Sequence, residues 1–159
     1  MGKIAKTNAM RILDKENINY NSINYDVSDG LVDGISVAKK INRAVDQVYK
    51  TLVGHGKDEV YVFIIPVHHE LDLKKAAFAT NEKKIEMIHV KDILNLTGYI
   101  RGGCSPVGMK KLYKTFIHDS AKDLVQIIVS AGKIGLQIEV DPKDLINIIN
   151  AEFIDLIKE

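Results

Sequence analysis

Twelve residues limit what this chain can fold into more than any other stretch. Thr97–Gly108 reads Thr-Gly-Tyr-Ile-Arg-Gly-Gly-Cys-Ser-Pro-Val-Gly, with four glycines and one of the chain's three prolines. Gly costs backbone entropy in helices and strands, and Pro lacks the amide donor that either needs. The stretch is therefore neither a regular helix nor a central strand. Gly does permit positive φ and close approach of the backbone to another group. The expected product is a loop whose amide N–H groups point at a ligand, with a plain connecting turn as the alternative.

The 159 residues fit one domain spanning 1–159, and 46% hydrophobic against 27% charged residues is a globular balance with enough apolar material for one core. The formal net charge is +1, so a broad basic field for nucleic acid is absent. No DNA partner is expected, and any RNA contact must use local patches. The only cysteine is Cys104, which excludes an intramolecular disulfide and fits a reducing cytoplasm. No run approaches the ~18 apolar residues of a membrane span, and the first residues lack a signal-peptide pattern. Trp is absent and aromatics are 6%, which argues against a base-stacking platform.

Periodicity and cap chemistry give the elements. Thr7–Glu16 is expected as a helix capped by Thr7, with Ala9, Ile12 and Leu13 on one face. Ser22–Val27 is expected as a strand, and Ser36 as the cap of a short helix through Ile41. Gln47–Val53 reads as a strand, Gly54-His55-Gly56 as a turn and Val60–Val67 as the most apolar strand. Asp72 caps a helix, Ile85–Ile88 is a short strand, and Val90–Leu96 is a helix leading into the Gly loop. Lys114–His118, Gln126–Ser130 and Leu136–Val140 read as strands, with a second Gly turn at Ser130–Gly135. Asp141-Pro142 starts another helix, and Phe153, Leu156 and Ile157 suggest a last short one. About seven strands without strict βα alternation predict a mixed α/β (α+β) fold, a central barrel-like sheet flanked by helices.

In the strand 47–53, period 2 sets Val48, Lys50 and Leu52 on one face and Tyr49, Thr51 and Val53 on the other. Both faces are largely apolar, so Lys50 is a charge among apolar neighbours. An unpaired interior charge costs on the order of several kcal/mol. Either the side chain snorkels to a rim or it belongs to a site, where perturbed lysines concentrate.

Other chemistry is poorly supported. His68-His69-Glu70 resembles a metal cluster, but adjacent residues point apart and no His-x-x-x-His pair completes it, so no metal is expected. The Gly-x-Gly-x-x-Gly, P-loop and Gly-x-Ser-x-Gly patterns are absent, and no cofactor is expected. Cys104 is either a thiol activated by loop amides or a small buried hydrophobe. Lysines 83–84 and 110–111 are solvated faces or contacts for RNA phosphates.

Four segments occur in order: Gln47-Val-Tyr-Lys-Thr-Leu52, Leu71-Asp-Leu-Lys-Lys75, Gly98–Gly108 and Ser130-Ala-Gly-Lys-Ile-Gly-Leu136. Together they resemble the YbaK/EbsC family of free-standing aminoacyl-tRNA deacylases, relatives of the editing insertion domain of bacterial prolyl-tRNA synthetases. The resemblance spans nearly the whole chain and is strongest to the Cys-tRNA(Pro) deacylases. It implies a barrel-like mixed α/β fold and cleavage of the ester joining a misplaced amino acid to the tRNA 3′ adenosine. By resemblance, Lys50 matches the family's essential lysine, and Gly102 opens its Gly-x-x-x-Pro motif, which ends at Pro106. Tyr25, Thr51, Tyr99 and Ser130 match pocket-lining positions, and Gly103, Ser105 and Pro106 join them as substrate-binding residues of the loop. The implied partners are the aminoacyl-tRNA acceptor end and prolyl-tRNA synthetase, in the cytoplasm.

The implied mechanism needs no protein nucleophile, because the thiol of the mischarged cysteine attacks its own carbonyl and leaves as a thiolactone. A synthetase pocket separates side chains as close in size as Cys and Pro by only ~1–3 kcal/mol, so a second sieve is useful. A Gly102 N–H on the developing oxyanion is worth roughly 2.7–4 kcal/mol. Lys50 either holds the terminal adenosine or its phosphate, or assists the leaving 3′ oxygen. Ala131, Ile134, Gln137 and Cys104 depart from the family pattern and leave the amino acid open: Cys on tRNA(Pro), Cys on tRNA(Cys), or a small residue such as Ala. A non-catalytic tRNA- or synthetase-binding relative and a small-molecule hydrolase using Cys104 are the competing readings.

Overall fold

The computed structural model describes residues 5–159. Eight strands form two sheets, and five α-helices pack around them, among the described residues. The smaller sheet has the order β1 (Tyr20–Asn24), β7 (Leu136–Val140), β6 (Ile127–Lys133), all antiparallel. The larger has the order β4 (Glu86–Met87), β2 (Tyr49–His55), β3 (Val60–Pro66), β5 (Lys114–His118), β8 (Ala151–Ile154). Its β3–β5 and β5–β8 pairs are parallel, and the others antiparallel.

Strand β3 is buried on both faces, which explains its unbroken apolar sequence. One face contributes Val62 and Ile64 to a core shared with Tyr49, Ile117, Ile127, Val129, Ile138 and Leu145. The other packs Phe63 and Ile65 against Phe116, Leu156 and Ala76. Each such aliphatic or aromatic side chain contributes about 1.5–3 kcal/mol on burial. Helices α1 (Asn8–Lys15) and α5 (Pro142–Ile149) close the first core through Ala9, Leu13 and Leu145. α3 (Leu73–Thr80) covers the second through Ala76 and Ala77. Their caps are the expected ones: Thr7 accepts from the Met10 amide, Asp72 from those of Lys74 and Lys75, and Asp141 from that of Lys143.

Four local expectations are corrected. Helix α2 (Gly34–Lys40) is capped by Asp33, whose carboxylate accepts from the Ser36 amide at 3.1 Å, so Ser36 lies inside the first turn. Glycine at position 34 lets that turn press onto the end of β3, since a Cβ there would overlap Val67. Gly54 does not begin a turn. It pairs with Tyr61 and with Met87, and a Cβ on it would lie 3.1 Å from the Glu86 carbonyl oxygen. β1 ends at Asn24, so Tyr25 follows the strand and donates its amide to Gly135 O at 3.0 Å. The final apolar residues do not make a helix. Asn150 terminates α5 at φ 53°, and Ala151–Ile154 then fills the open edge of β5 as a parallel strand. A short helix is marginal alone, whereas a vacant strand edge offers a ladder at once.

The sheets do not close into a barrel. They meet at one parallel bridge, Val48 with Ile128, and part beyond it.

Candidate active site

That seam is where Lys50 sits. Beyond the bridge, the edge of β2 facing away from β3 next pairs at Gly54, with β4. Two residues past the bridge on each side stand Lys50 and Ser130, and Ser130 pairs with Gln137 of β7. Strand alternation puts these three on the face of Val48 and Ile128, which pack with Tyr25, Val37 and Val67. The Lys50 side chain is half-buried, without an acidic group within 4 Å among the described residues. Burial lowers its pKa below the ordinary lysine value, and the more distant charge of Glu70 pulls it partly back.

Among the described residues, three buried side-chain oxygens have no hydrogen-bond partner: Tyr25 Oη, Thr51 Oγ1 and Gln137 Oε1. Leaving such a group unsatisfied costs about 1–3 kcal/mol each. Native proteins rarely keep several in one region without a use for them. Tyr25 and Gln137 belong to the Lys50 face. Thr51, the neighbour of Lys50 in sequence, lies on the Tyr49–Val53 face, where Val53 packs with Tyr99 and Cys104.

The Gly loop follows α4 (Val90–Thr97), which Gly98 terminates at φ 86°. The loop is held by its own side chains. Tyr99 Oη donates to Val107 O at 2.7 Å, Thr97 Oγ1 accepts from the Tyr99 amide at 3.0 Å, and Ser105 Oγ accepts from the Val107 amide at 3.2 Å. It rests on the β6–β7 turn, with glycine on both sides of the contact. A Cβ on Gly103 would lie 3.0 Å from Ile134 N, and one on Gly132 would lie 2.6 Å from the Tyr99 ring. Gly102 has φ 86° and is exposed beside Ile134. The Gly103 amide donates to Ile100 O, while no acceptor takes the Gly102 N–H among the described residues.

The sequence-derived set therefore divides. Lys50, Ser130 and Tyr25 share a face. Gly102 and Gly103 lie against the turn that ends the Ser130 strand. Thr51 and Tyr99 stand on the opposite side of β2. Ser105 and Pro106 are buried inside the loop, and the hydroxyls of Ser105 and Tyr99 are already engaged there. Ser130 Oγ accepts from the Gly132 amide at 3.1 Å and steadies the bulge of β6. Sequence reasoning noted Gln137 only as a departure from a family pattern. Its signal was a polar residue at the second position of the apolar strand Leu136–Val140.

Two other candidates look different in the structure. Burial pushes the Cys104 thiol up to about 11, against a smaller opposing effect of Thr97, so its thiolate is scarce near neutrality. The His68 and His69 rings do not point apart as expected, their centroids lying 4.1 Å from each other, but His68 reaches Asp46 at 3.1 Å and Glu70 pairs with Lys158 at 3.1 Å, so the run does not converge on one point. No group of three His, Cys, Asp or Glu side chains gathers into a metal-binding cluster among the described residues. No helix among them is long and apolar enough to cross a membrane.

A cavity of about 190 Å³ lies behind the loop, lined by Ile12, Pro106, Met109, Tyr113 and Ile148. It does not include Lys50.

Comparison with known proteins gives these features a family. The aminoacyl-tRNA editing domain matches residues 33–148. EbsC of Enterococcus faecalis (strain ATCC 700802 / V583), a candidate Cys-tRNA(Pro)/Cys-tRNA(Cys) deacylase, is 43% identical over 152 residues, covering 95% of this chain and 93% of EbsC. The proline–tRNA ligase of Staphylococcus haemolyticus (strain JCSC1435) is 33% identical over 100 residues, which are 62% of this chain and 17% of the ligase. Among solved structures, a candidate trans-editing enzyme for prolyl tRNA synthetase superposes with TM-score 0.84 at 20% identity, covering 98% of this chain and 100% of that one. Hypothetical protein APE2540 does so with TM-score 0.87 at 15% identity, over 96% and 100%. The matched span contains Lys50, the Gly loop and the β6–β7 turn, and on these grounds the chain belongs to the aminoacyl-tRNA editing domain family.

Proposed function

We propose that this chain is a trans-editing deacylase that clears cysteine misattached to tRNA(Pro), with Cys-tRNA(Cys) as a second substrate. The observation that carries the reading is the seam itself: a half-buried ammonium at Lys50, sharing its face with the buried oxygens of Tyr25 and Gln137, all without partners among the described residues. An aminoacyl ester brings matching groups. Its α-ammonium and thiol are donors for Gln137 Oε1, and its ribose hydroxyls suit Tyr25 Oη.

In the reaction, the sulfur of the bound cysteine attacks the ester carbonyl carbon. The oxyanion forms opposite the unengaged N–H of Gly102. The C–O bond to the 3′ oxygen breaks, the carbonyl re-forms as a thiolactone, and the thiol proton is balanced by protonation of the departing 3′ oxygen. Lys50 supplies that proton, and solvent water takes the proton released by the thiol and returns one to Lys50. Its depressed pKa makes it a stronger acid than an exposed lysine, and a positioned acid contributes typically about 10²–10⁴-fold. The chain then offers no nucleophile of its own, in keeping with the high thiol pKa of Cys104. The kinship with part of proline–tRNA ligase supports prolyl-tRNA synthetase as the partner that delivers tRNA(Pro).

The test is deacylation of labelled Cys-tRNA(Pro) by the native protein and by Lys50→Met, which keeps length and apolarity without the charge. The native protein should shorten the ester half-life and release a thiolactone or its hydrolysis product, and the variant should lose at least about 100-fold in rate while remaining folded. A native protein that leaves the ester untouched ends the reading. Unimpaired turnover by Lys50→Met ends the role given to Lys50.

A further inference from the structure

The near-neutral whole conceals a one-sign region at the site. From Ile93 to His118 the chain carries Arg101, Lys110, Lys111 and Lys114 and no acidic residue, and from Leu124 to Ile138 it carries Lys133 and none. The fold brings these two stretches together. Arg101 precedes Gly102 directly. Gly103 lies against Lys133, whose Cα would be 3.2 Å from an added Cβ, and the Lys110 stem lies over Gly98, with Cγ 3.4 Å from a Cβ there. All three cations are exposed, and none has a carboxylate within 4 Å among the described residues. Exposed lysines elsewhere, such as Lys57, Lys74 and Lys143, also lack an acid within 4 Å among the described residues, but acidic residues lie close to each in sequence. What sets Arg101, Lys110 and Lys133 apart is that they come from two acid-free stretches brought together beside Gly102.

We infer that Arg101, Lys110 and Lys133 form a rim that binds the phosphodiester backbone of the RNA acceptor end and sets the 3′-terminal ester over Gly102. The inference rests on the deacylase reading and adds where the RNA lies. The partner chemistry is fixed by the rim: several cations from separate segments, without a compensating acid, suit a chain of regularly spaced anions. Such contacts position RNA without reading its bases. A weak, sequence-blind grip of this kind needs only a local patch, so a net charge of +1 does not oppose it.

The experiment measures binding of an acceptor-stem RNA hairpin ending in CCA by fluorescence anisotropy across a KCl series. Each phosphate contact adds about 0.7–0.9 to the steepness of log affinity against log salt. The triple variant Arg101→Gln/Lys110→Gln/Lys133→Gln should flatten that slope by about two, whereas Lys110→Arg/Lys133→Arg keeps it. Lys143→Gln, at the start of α5 and outside the two acid-free stretches, should leave it unchanged. A triple variant with the native slope overturns the inference, and so does an equal loss in Lys143→Gln. Hydrolysis of a phosphate-free 3′-cysteinyl adenosine by the native protein separates the two readings. If that ester is cleaved while RNA binding shows no salt dependence, the rim fails and the deacylase stands; if labelled Cys-tRNA(Pro) is cleaved and the phosphate-free ester is not, the rim is supported; if neither is cleaved, the deacylase reading itself fails.

Discussion

Gly132→Ala tests whether the contact between the Gly loop and the β6–β7 turn is structurally required. Gly132 sits in the β6 bulge at φ 104°, and an added Cβ would stand 2.6 Å from Tyr99 Cε1 and 3.3 Å from Cδ1 and Cζ. The ring cannot retreat freely, because its hydroxyl is tied to Val107 O at 2.7 Å and the residue is buried. Two costs add. Positive φ on a residue with a Cβ costs roughly 1–2 kcal/mol. Overpacking against a fixed ring costs roughly 1–3 kcal/mol more. The expected destabilisation is therefore about 2–5 kcal/mol, or a Tm lower by about 4–20 °C for a chain of this size. Gly30→Ala isolates the first cost, since Gly30 has φ 75° and nothing within 4 Å of its Cβ position. Urea denaturation should place Gly132→Ala below Gly30→Ala by about 1–3 kcal/mol, and Tyr99→Leu in the same chain should recover at least about 0.5 kcal/mol of coupling. Equal losses in the two alanine variants, or simple additivity with Tyr99→Leu, would refute the steric argument.

Three further outcomes follow from the site. Thr51→Val removes a buried hydroxyl that has no partner among the described residues and stands on the face of β2 opposite Lys50, so it should stabilise the fold by up to about 1 kcal/mol in urea and leave deacylation near native; a stability loss, or slowed turnover, would contradict that placement. Glu70→Gln withdraws the charge that raises the Lys50 pKa, so activity that needs the ammonium should fall off at lower pH than in the native protein. The sign follows from Lys50 losing its proton as pH rises through a folded pKa already below 10.5, and Lys158→Gln controls for the Glu70 ion pair; an unmoved alkaline limb would detach Glu70 from the site. Cys104→Ala should keep deacylation, and the native thiol should resist iodoacetamide at neutral pH, because burial pushes it up to about 11; rapid alkylation coupled to loss of turnover would reinstate a protein nucleophile.

How much of this was legible in the sequence depends on the range of the interaction involved. Caps are local, and Thr7, Asp72 and Asp141 were readable because a side chain one turn away from its amide needs no tertiary context. Even so, Ser36 reads as a cap only until Asp33, three residues earlier, takes the Ser36 amide and starts the helix sooner. The strand Lys114–His118 carried its own apolar run, whereas Ala151–Ile154 became a strand because β5 had a free edge, which no local pattern records. Gly54 was read as a turn because glycine in isolation signals flexibility. Its reason here is the close approach of β4. For the site, the charge of Lys50 among apolar residues was visible, and so was the glycine density. The orphaned oxygen of Gln137 was not, since a lack of partners is a property of the folded neighbourhood.

The seam connects the fold to the proposed chemistry. Had β2 and β6 continued their pairing past Val48 and Ile128, the next bridge would fall at Lys50 and Ser130, closing the gap between the sheets. The β6 bulge between Ser130 and Lys133 acts against that continuation by bending the strand. Its glycine also admits the Tyr99 ring, so the irregularity that keeps the sheets apart beside Lys50 also seats the loop carrying Gly102. Straightening the bulge would favour the ladder and remove the opening together. The unpartnered oxygens of Tyr25 and Gln137 and the unpaired ammonium of Lys50 are costs to stability gathered on one face of the seam. Such a concentration has a physical rationale if a ligand satisfies those groups when it binds.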